Sequence, residues 1–406
     1  MHKFSPNRIA VHLMPAALRA VRSGHPWVYD RGIRKQNKEG AVGDLAVLFD
    51  RNRNFVGLGL YDPESPIRVR VLHQGEPTRI NTTWLGTRLE RALNVRDALM
   101  SDPRTTGYRL VHGENDGLPG LVIDGYEQTL VIKLDTAAWV PHLPVLTDLL
   151  IELLSPERVV LRLNRTVSRS PALSDELVDG TILHGPPLKQ PVIFLENGLR
   201  FEADPISGQK TGFFLDQREN RARVENFSRG KDVLNVFAYT GGFSLYAARG
   251  GATRVVSLDI SKPALVAAER NFALNEEVEK VAAAEHETAC ADAFEYLSQR
   301  GKGGRKFGLV ILDPPSFARK QAQVNKAVAN YERLARLGLE CLKPKGILVA
   351  ASCSSRVPAE VFFQAIQRAA SQSNRPLHIL ERTTHAADHP VGFPEGAYLK
   401  CLFARA

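Results

Sequence analysis

The stretch Val233-Leu-Asn-Val-Phe-Ala-Tyr-Thr-Gly-Gly-Phe-Ser-Leu-Tyr-Ala-Ala-Arg249 changes its period halfway along. Val233–Phe237 is a short apolar run of the kind buried in a parallel sheet, and Ser244–Arg249 reads as helix. Between them, Gly241 and Gly242 let the backbone approach a ligand closely, because no Cβ stands in the way. The alternation continues downstream. Arg254–Leu258 precedes a helical Lys262–Asn275, Leu309–Leu312 precedes Lys326–Leu342, and Gly346–Ala351 precedes Ala359–Ser371. Such βαβα order predicts an α/β, Rossmann-like parallel sheet with helices on both faces. Ligands then bind at the carboxyl ends of the strands.

Those strand ends carry the candidate chemistry. The first loop, Asn235 to Ser244, lacks the G-x-G-x-x-G pattern, so a dinucleotide is disfavoured. The second strand ends in Asp259, an acid placed to accept from both hydroxyls of a ribose. Asp292 follows a third strand and is placed to bind an adenine amino group. Either acid alone reads as a cap or a surface residue. In order along one sheet edge, they suit adenosine without a pyrophosphate. The fourth strand ends in Asp313-Pro-Pro-Ser-Phe317, where two prolines stiffen the loop and remove two backbone donors. That loop can hold a planar base against Phe317 and leaves Asp313 as an acceptor. The fifth strand ends in Ser352-Cys-Ser-Ser355, which puts Cys353 at the exposed sheet edge. A thiolate is the soft nucleophile needed to attack an electron-poor ring carbon.

Upstream of the sheet the chain reads differently. Residues 1–75 hold twelve Lys/Arg against six Asp/Glu, most of the net +9 of the 406-residue chain. Gly43–Phe49, Phe55–Leu60 and Ile67–Leu72 read as strands of a small basic β-barrel. In the last, Ile67, Val69 and Val71 share one face and Arg68 and Arg70 the other. A plain sheet with a charged outer face is the alternative. A helix over 82–100 follows, with Trp84, Leu85, Leu89, Leu93 and Leu99 as core candidates. Strands 108–111, 120–124, 130–134 and 158–163 and a helix 144–154 complete a central α+β region. Glu196-Asn-Gly198 marks a hairpin between Pro191–Phe194 and Leu199–Ala203. The expected division is therefore 1–75, 76–185 and 186–406.

Composition narrows the class. Apolar residues at 44% and charged residues at 24% are ordinary for a globular chain and argue against disorder. No run approaches the ~20 apolar residues of a membrane span. Cys290, Cys341, Cys353 and Cys401 lie far apart with no C-x-x-C, so neither disulfides nor a metal site is expected, and a reducing cytoplasm fits. The basic balance points to an anionic partner such as nucleic acid.

The residues also carry a family resemblance. Ser23-Gly-His-Pro-Trp-Val28, Gly57-Leu-Gly-Leu-Tyr61 and Ser65-Pro-Ile-Arg68 resemble a PUA domain. Glu114-Asn-Asp-Gly-Leu-Pro-Gly120, Gly208 to Arg221, Asp388-His-Pro390 and Pro394 to Lys400 complete a match over nearly the whole length. The chain resembles the bacterial ribosomal RNA large-subunit methyltransferase I family, S-adenosylmethionine-dependent cytosine-C5 methyltransferases of 23S rRNA. The resemblance implies a class I methyltransferase sheet behind an N-terminal PUA domain. It implies that Asn235, Phe237, Tyr239, Thr240 and Gly241 line the methionine end of the cofactor. Asp259 lies on the ribose, Asp292 near adenine and Asp313 near the target base. The segment containing Lys210, Asp216, Gln217 and Arg218 closes over the cofactor, with Lys210, Pro314, Pro315 and Phe317 on the substrate. Cys353 is the implied nucleophile.

The implied partner is 23S rRNA or a large-subunit precursor, and a homodimer is compatible. Many cytosine-C5 enzymes carry a second Cys after the fourth strand, where this chain has Pro315 and Ser316. The acceptor of the C5 proton is thus unassigned. The Asp-Pro-Pro-Ser-Phe loop also resembles that of exocyclic-amine (guanine N2 or adenine N6) methyltransferases, which need no Cys. A non-catalytic RNA-binding assembly factor is the remaining reading.

Overall fold

A computed structural model describes residues 2–318 and 320–406, which divide into two compact units. The second unit comprises residues 199–201, 216–386 and 395–406. Its seven-stranded sheet places Glu285–Cys290, Arg254–Asp259, Asp232–Val236, Phe307–Leu312, Leu342–Ser352, Lys400–Arg405 and His378–Thr383 side by side in that order. The first five strands run parallel, as the βαβα pattern requires. The central strands are buried along their whole length, which explains their unbroken apolar runs. The sequence reading omitted the last two strands; Lys400–Arg405 runs antiparallel to both of its neighbours, Leu342–Ser352 and His378–Thr383. The strand order reverses direction beside Asp232–Val236, so its carboxyl end and that of Phe307–Leu312 flank the switch point.

Helices between the strands supply the second half of the core. Val324–Cys341 buries Tyr331, Leu334, Ala335 and Leu339, spaced three and four apart. Ala359–Gln372 buries Phe362, Phe363 and Ile366 in the same way. Lys262–Ala273 starts at Ser261, whose hydroxyl accepts from the Ala264 amide, with Pro263 in the first turn.

The first unit comprises residues 1–198, 202–215 and 387–394. One sheet has six strands in the order Trp27–Tyr29, Ile67–Gln74, Phe55–Tyr61, Leu45–Phe49, Arg8–Leu13, Ile33–Gln36. A second has five, in the order Ile182–His184, Arg158–Leu163, Thr129–Leu134, Leu121–Tyr126, Gly107–His112. The predicted helix at 82–100 is two, Thr82–Val95 and Asp97–Met100, the first capped by the Asn81 side chain on the Trp84 amide. Leu85 and Leu89 are buried, whereas Trp84, Leu93 and Leu99 are half-buried. The Asn197-Gly198 turn forms as read, both residues having positive φ.

Two readings change. Arg70 does not stand on a solvated face: it is buried, and its guanidinium donates to Glu114 Oε1 at 2.5 Å. Glu114 also accepts from the Trp27 indole at 2.7 Å. Strand alternation predicted the side on which Arg70 lies, but not that a carboxylate would cover that side. Among the described residues, Ala137–Leu154 is long and apolar enough to cross a membrane by length and composition, and 61% of it is buried. Its Leu143, Leu146 and Leu150 pack with the sheet residues Ile123 and Ile132 in one core, which accounts for its apolarity.

Asp124, fully buried, receives two parallel bonds from Arg109, at 2.8 and 3.0 Å, and one from Thr211 at 2.6 Å. Breaking one partner of such a pair strands a buried charge. Arg109→Met is therefore expected to destabilise by about 3–5 kcal/mol, read as a lower urea midpoint. Adding Asp124→Leu should recover part of the loss. An unchanged midpoint in Arg109→Met would show the pair to be neutral.

Candidate active site

The sequence-derived residues of the second unit gather at the carboxyl ends of its parallel strands. Asn235 sits one residue before the end of the first strand and is buried. Its Nδ2 donates to Ser244 Oγ at 2.9 Å. Ser244 pairs with Ser257 Oγ at 2.7 Å, and Ser257 with His286 Nε2 at 2.9 Å. This polar thread crosses three strands and fixes the Asn235 side chain. Its Oδ1 is buried and has no hydrogen-bond partner.

The loop that follows is held in an unusual shape. Phe237, Tyr239 and Gly241 have φ of 63°, 49° and 77°. Two non-glycine residues in the left-handed region are costly, so the surroundings must enforce the turn. They do so through Asp259. Its Oδ2 accepts from the Tyr239 amide at 2.8 Å and its Oδ1 from the Ser261 amide at 2.9 Å. Asn271 holds the Thr240 carbonyl at 2.8 Å. A Cβ on Gly241 would come within 2.9 Å of Ala268 Cβ, so the close approach also requires glycine there. Thr240 Oγ1 is buried without a partner. Two unpartnered buried oxygens beside a left-handed loop are groups that a polar ligand would complete.

Asp292 is exposed and caps Ala293–Gly301, accepting from the Phe294 and Glu295 amides at 2.9 and 3.1 Å. Asp313 Oδ2 accepts from Gln217 Nε2 at 3.0 Å. Gln217 Oε1 accepts from Asn220 at 2.6 Å, and Asn220 Oδ1 from Thr383 at 2.6 Å. Asp216 Oδ2 accepts from the Tyr398 hydroxyl at 2.8 Å, and the buried Arg218 lies 3.3 Å from Glu219 Oε1. Pro314 is buried and Pro315 exposed. Phe317 is half-buried with its ring 4.9 Å from that of Tyr331. Lys210 belongs to the first unit, where its ammonium lies 4.3 Å from the centre of the Phe214 ring.

Cys353 is half-buried, one residue past the fifth strand. Cys341 and Cys401 are buried, and burial raises both thiols, Cys341 to about 11. The turn around Cys353 is braced by hydroxyls. Ser352 donates to the Tyr331 hydroxyl at 2.9 Å. Tyr331 then has its own proton for Ser354 at 3.0 Å, and Ser354 for Ser316 at 2.8 Å. Ser316 donates on to the Ala318 carbonyl at 3.2 Å. The chain of donors thus ties the Asp313 loop to the Cys353 turn.

Sequence reasoning did not single out Tyr331, Ser354, Asn220 or Tyr398 for the site. The Tyr at position 331 had one local signal, its place on the apolar stripe of a helix, and that reads as core.

Comparison with known proteins shows the family. The family model of S-adenosylmethionine-dependent methyltransferases matches residues 176–405, and that of PUA-like domains matches 11–74. The chain is 49% identical over 403 residues to a ribosomal RNA large subunit methyltransferase of Deinococcus radiodurans, covering 98% of each. It is 37% identical over 394 residues to the ribosomal RNA large subunit methyltransferase I of Vibrio parahaemolyticus, covering 96% of this chain and 98% of the other. The crystal structure of SMU.776 in complex with SAH has the same fold, with a TM-score of 0.83 at 22% identity over 98% of this chain and all of that one.

Two substitutions test the braces. Tyr331→Phe removes the hydroxyl that joins Ser352 to Ser354 and is expected to lower stability by about 1–2 kcal/mol in denaturant melts. An unchanged midpoint would mean water replaces it. Burial lowers His286 from 6.5 to about 4. Between those values the unfolded chain takes up a proton that the folded chain refuses, so stability falls as pH drops through that window, by up to roughly 3 kcal/mol. His286→Phe should flatten this part of the acid limb. A limb of unchanged slope would show that the ring does not supply it. The matched domains, the full-length relatives and the strand-end geometry together place this chain in the family of S-adenosylmethionine-dependent ribosomal RNA large-subunit methyltransferases.

Proposed function

We propose that the protein forms 5-methylcytidine in 23S ribosomal RNA through a covalent adduct on Cys353. The observation that carries this reading is the position of that thiol. It is the half-buried cysteine at the end of a parallel strand, on a turn tied through Tyr331 to the loop that begins at Asp313. An amine methyltransferase has no use for a thiol held there.

Asn235 Oδ1 and Thr240 Oγ1, both buried and unpartnered, fit the amino-acid end of S-adenosylmethionine. Asp259 uses one lone pair on each oxygen for the loop and keeps the others for ribose hydroxyls. Asp292 lies at the next strand end for adenine. Asp216, Gln217 and Arg218 precede Asn220, which joins this segment to the Asp313 loop through Gln217. The exposed bases of residues 1–75, with Lys210, neutralise RNA phosphates. The target base is read unstacked, as chemistry on a ring carbon requires.

The Cys353 thiolate adds to C6 of the cytosine, and the C5=C6 electrons become available at C5. As the adduct forms N3 takes a proton from water, and Asp313 accepts from that N3–H and from the N4 amino group. S-Adenosylmethionine, when bound, supplies an electrophilic methyl group from its sulfonium, which C5 takes as the sulfur keeps the bonding pair. C5 then loses its proton to water, C5=C6 re-forms, the C6–S bond breaks to return Cys353 as thiolate, and N3 returns its proton to water. Pro314, Pro315 and Phe317 wall the base.

The test is methyl transfer from labelled S-adenosylmethionine to undermodified large-subunit rRNA, followed by nucleoside mass spectrometry. Wild type is expected to form 5-methylcytidine, and Cys353→Ala to lose at least about 10³-fold in rate while still binding S-adenosylhomocysteine. A methylated purine made equally by both proteins would move the enzyme to the amine-methylating class suggested by Asp313-Pro-Pro-Ser-Phe317. Binding of rRNA without turnover would make it an assembly factor.

A further inference from the structure

The seventh strand begins at Lys400, which stands opposite Ser352 in the antiparallel register with the fifth strand. Ser352 is the residue before Cys353, so this register sets a lysine beside the cysteine-bearing turn. Lys400 is 2% exposed. Its Nζ donates to the Ser354 carbonyl at 2.5 Å and to the Tyr398 carbonyl at 3.1 Å. Among the described residues it has no carboxylate partner, and its third N–H has no acceptor. Two buried cations among the described residues are answered differently: Arg96 and Arg109 each face an aspartate.

A buried ammonium with no anion is unfavourable, and two carbonyl contacts repay only part of its lost hydration. Desolvation accordingly pulls Lys400 from 10.5 to about 8, and the charge that acts on it in the opposite sense is that of Cys353. If Lys400 served only to join two turns, a neutral amide donor would suffice without this penalty. A cation at the position becomes useful when a negative charge is formed next to it.

We propose that Lys400 is the counter-ion of the Cys353 thiolate. The thiol proton leaves to water, the ammonium keeps its three protons, and the thiolate supplies the anion that the lysine lacks. The same ammonium faces the sulfur again when the C6–S bond breaks, which makes the thiolate a better leaving group. The Pro315-Ser316 loop holds no second cysteine, and on this reading the departing sulfur is stabilised by the lysine instead. Lys400 is thus a positioning residue for the nucleophile. The inference rests on the proposed role of Cys353 and adds to it.

The test measures the rate at which iodoacetamide alkylates Cys353 at pH 7, by peptide mass spectrometry. Wild type is compared with Lys400→Gln, which keeps an amide donor for the carbonyls, and with Lys400→Met. Circular dichroism and S-adenosylhomocysteine binding report the fold. Both variants are expected to alkylate about tenfold more slowly, with kcat reduced and the KM for S-adenosylmethionine unchanged. A folded Lys400→Gln protein that alkylates at the wild-type rate overturns the proposal.

Wild type provides a check that needs no variant. Native Cys353 should react faster than the same residue in the urea-unfolded chain, despite its partial burial, and a slower native rate also overturns the proposal. Cys353→Ala separates the two levels. If that protein still methylates RNA, the nucleophile reading fails whatever Lys400 does. If it is inactive while Lys400→Gln alkylates normally, only the lysine role fails.

Discussion

Adjacent parallel strands share no hairpin, so the loops at their ends are joined along the chain only through long crossovers. The Asp313 loop and the Cys353 turn are separated by the whole helix Val324–Cys341 and a strand. A buried hydroxyl on that helix solves the problem. Tyr331 takes a proton from Ser352 and gives one to Ser354, and Ser354 reaches Ser316 in the other loop. Each group has one donor to give, so the order of donation is fixed as well as the distances. The arrangement of the strand-four and strand-five loops depends on this relay.

Buried polarity is handled in two ways. Around Asp124 in the first unit, buried charges answer one another. Asp124 is gripped by Arg109, and Asp388 accepts from the Arg109 amide while its carbonyl takes a bond from Arg96. Such networks fix a structure once every member is satisfied. At the strand ends of the second unit, by contrast, the oxygens of Asn235 and Thr240 and the third proton of Lys400 are left open. Unsatisfied buried groups reduce stability, and these three are groups that a ligand or a newly formed charge would complete.

The left-handed loop makes the same point in backbone terms. Phe237 and Tyr239 occupy a region that side chains disfavour, and the Asp259 carboxylate on the next strand holds the Tyr239 amide. The acid therefore serves the loop before it meets any ligand. Asp292 similarly serves a helix, as its cap. A functional acid and a structural acid are not alternatives at these positions, because a carboxylate has lone pairs enough for both uses.

Much of this was legible in the chain itself. Apolar runs of five or six residues alternating with amphipathic helices dictate a parallel sheet, because only strands covered on both faces can be so uniformly apolar. Gly241-Gly242, Asp259, Asp313 and Cys353 fall at strand ends by counting residues, and the Asn197-Gly198 turn is local chemistry. The sixth and seventh strands were not legible, since their residues lack a clear alternation. The burial of Arg70 depended on Glu114, forty-four positions away in sequence. The tertiary structure alone decided that Tyr331 would bridge two loops and that Lys400 would lie opposite Ser352. Both are pairings between distant segments, and the local pattern of a sequence has no term for them: a tyrosine on an apolar stripe and a lysine at a strand start acquire their partners only when the sheet closes around them.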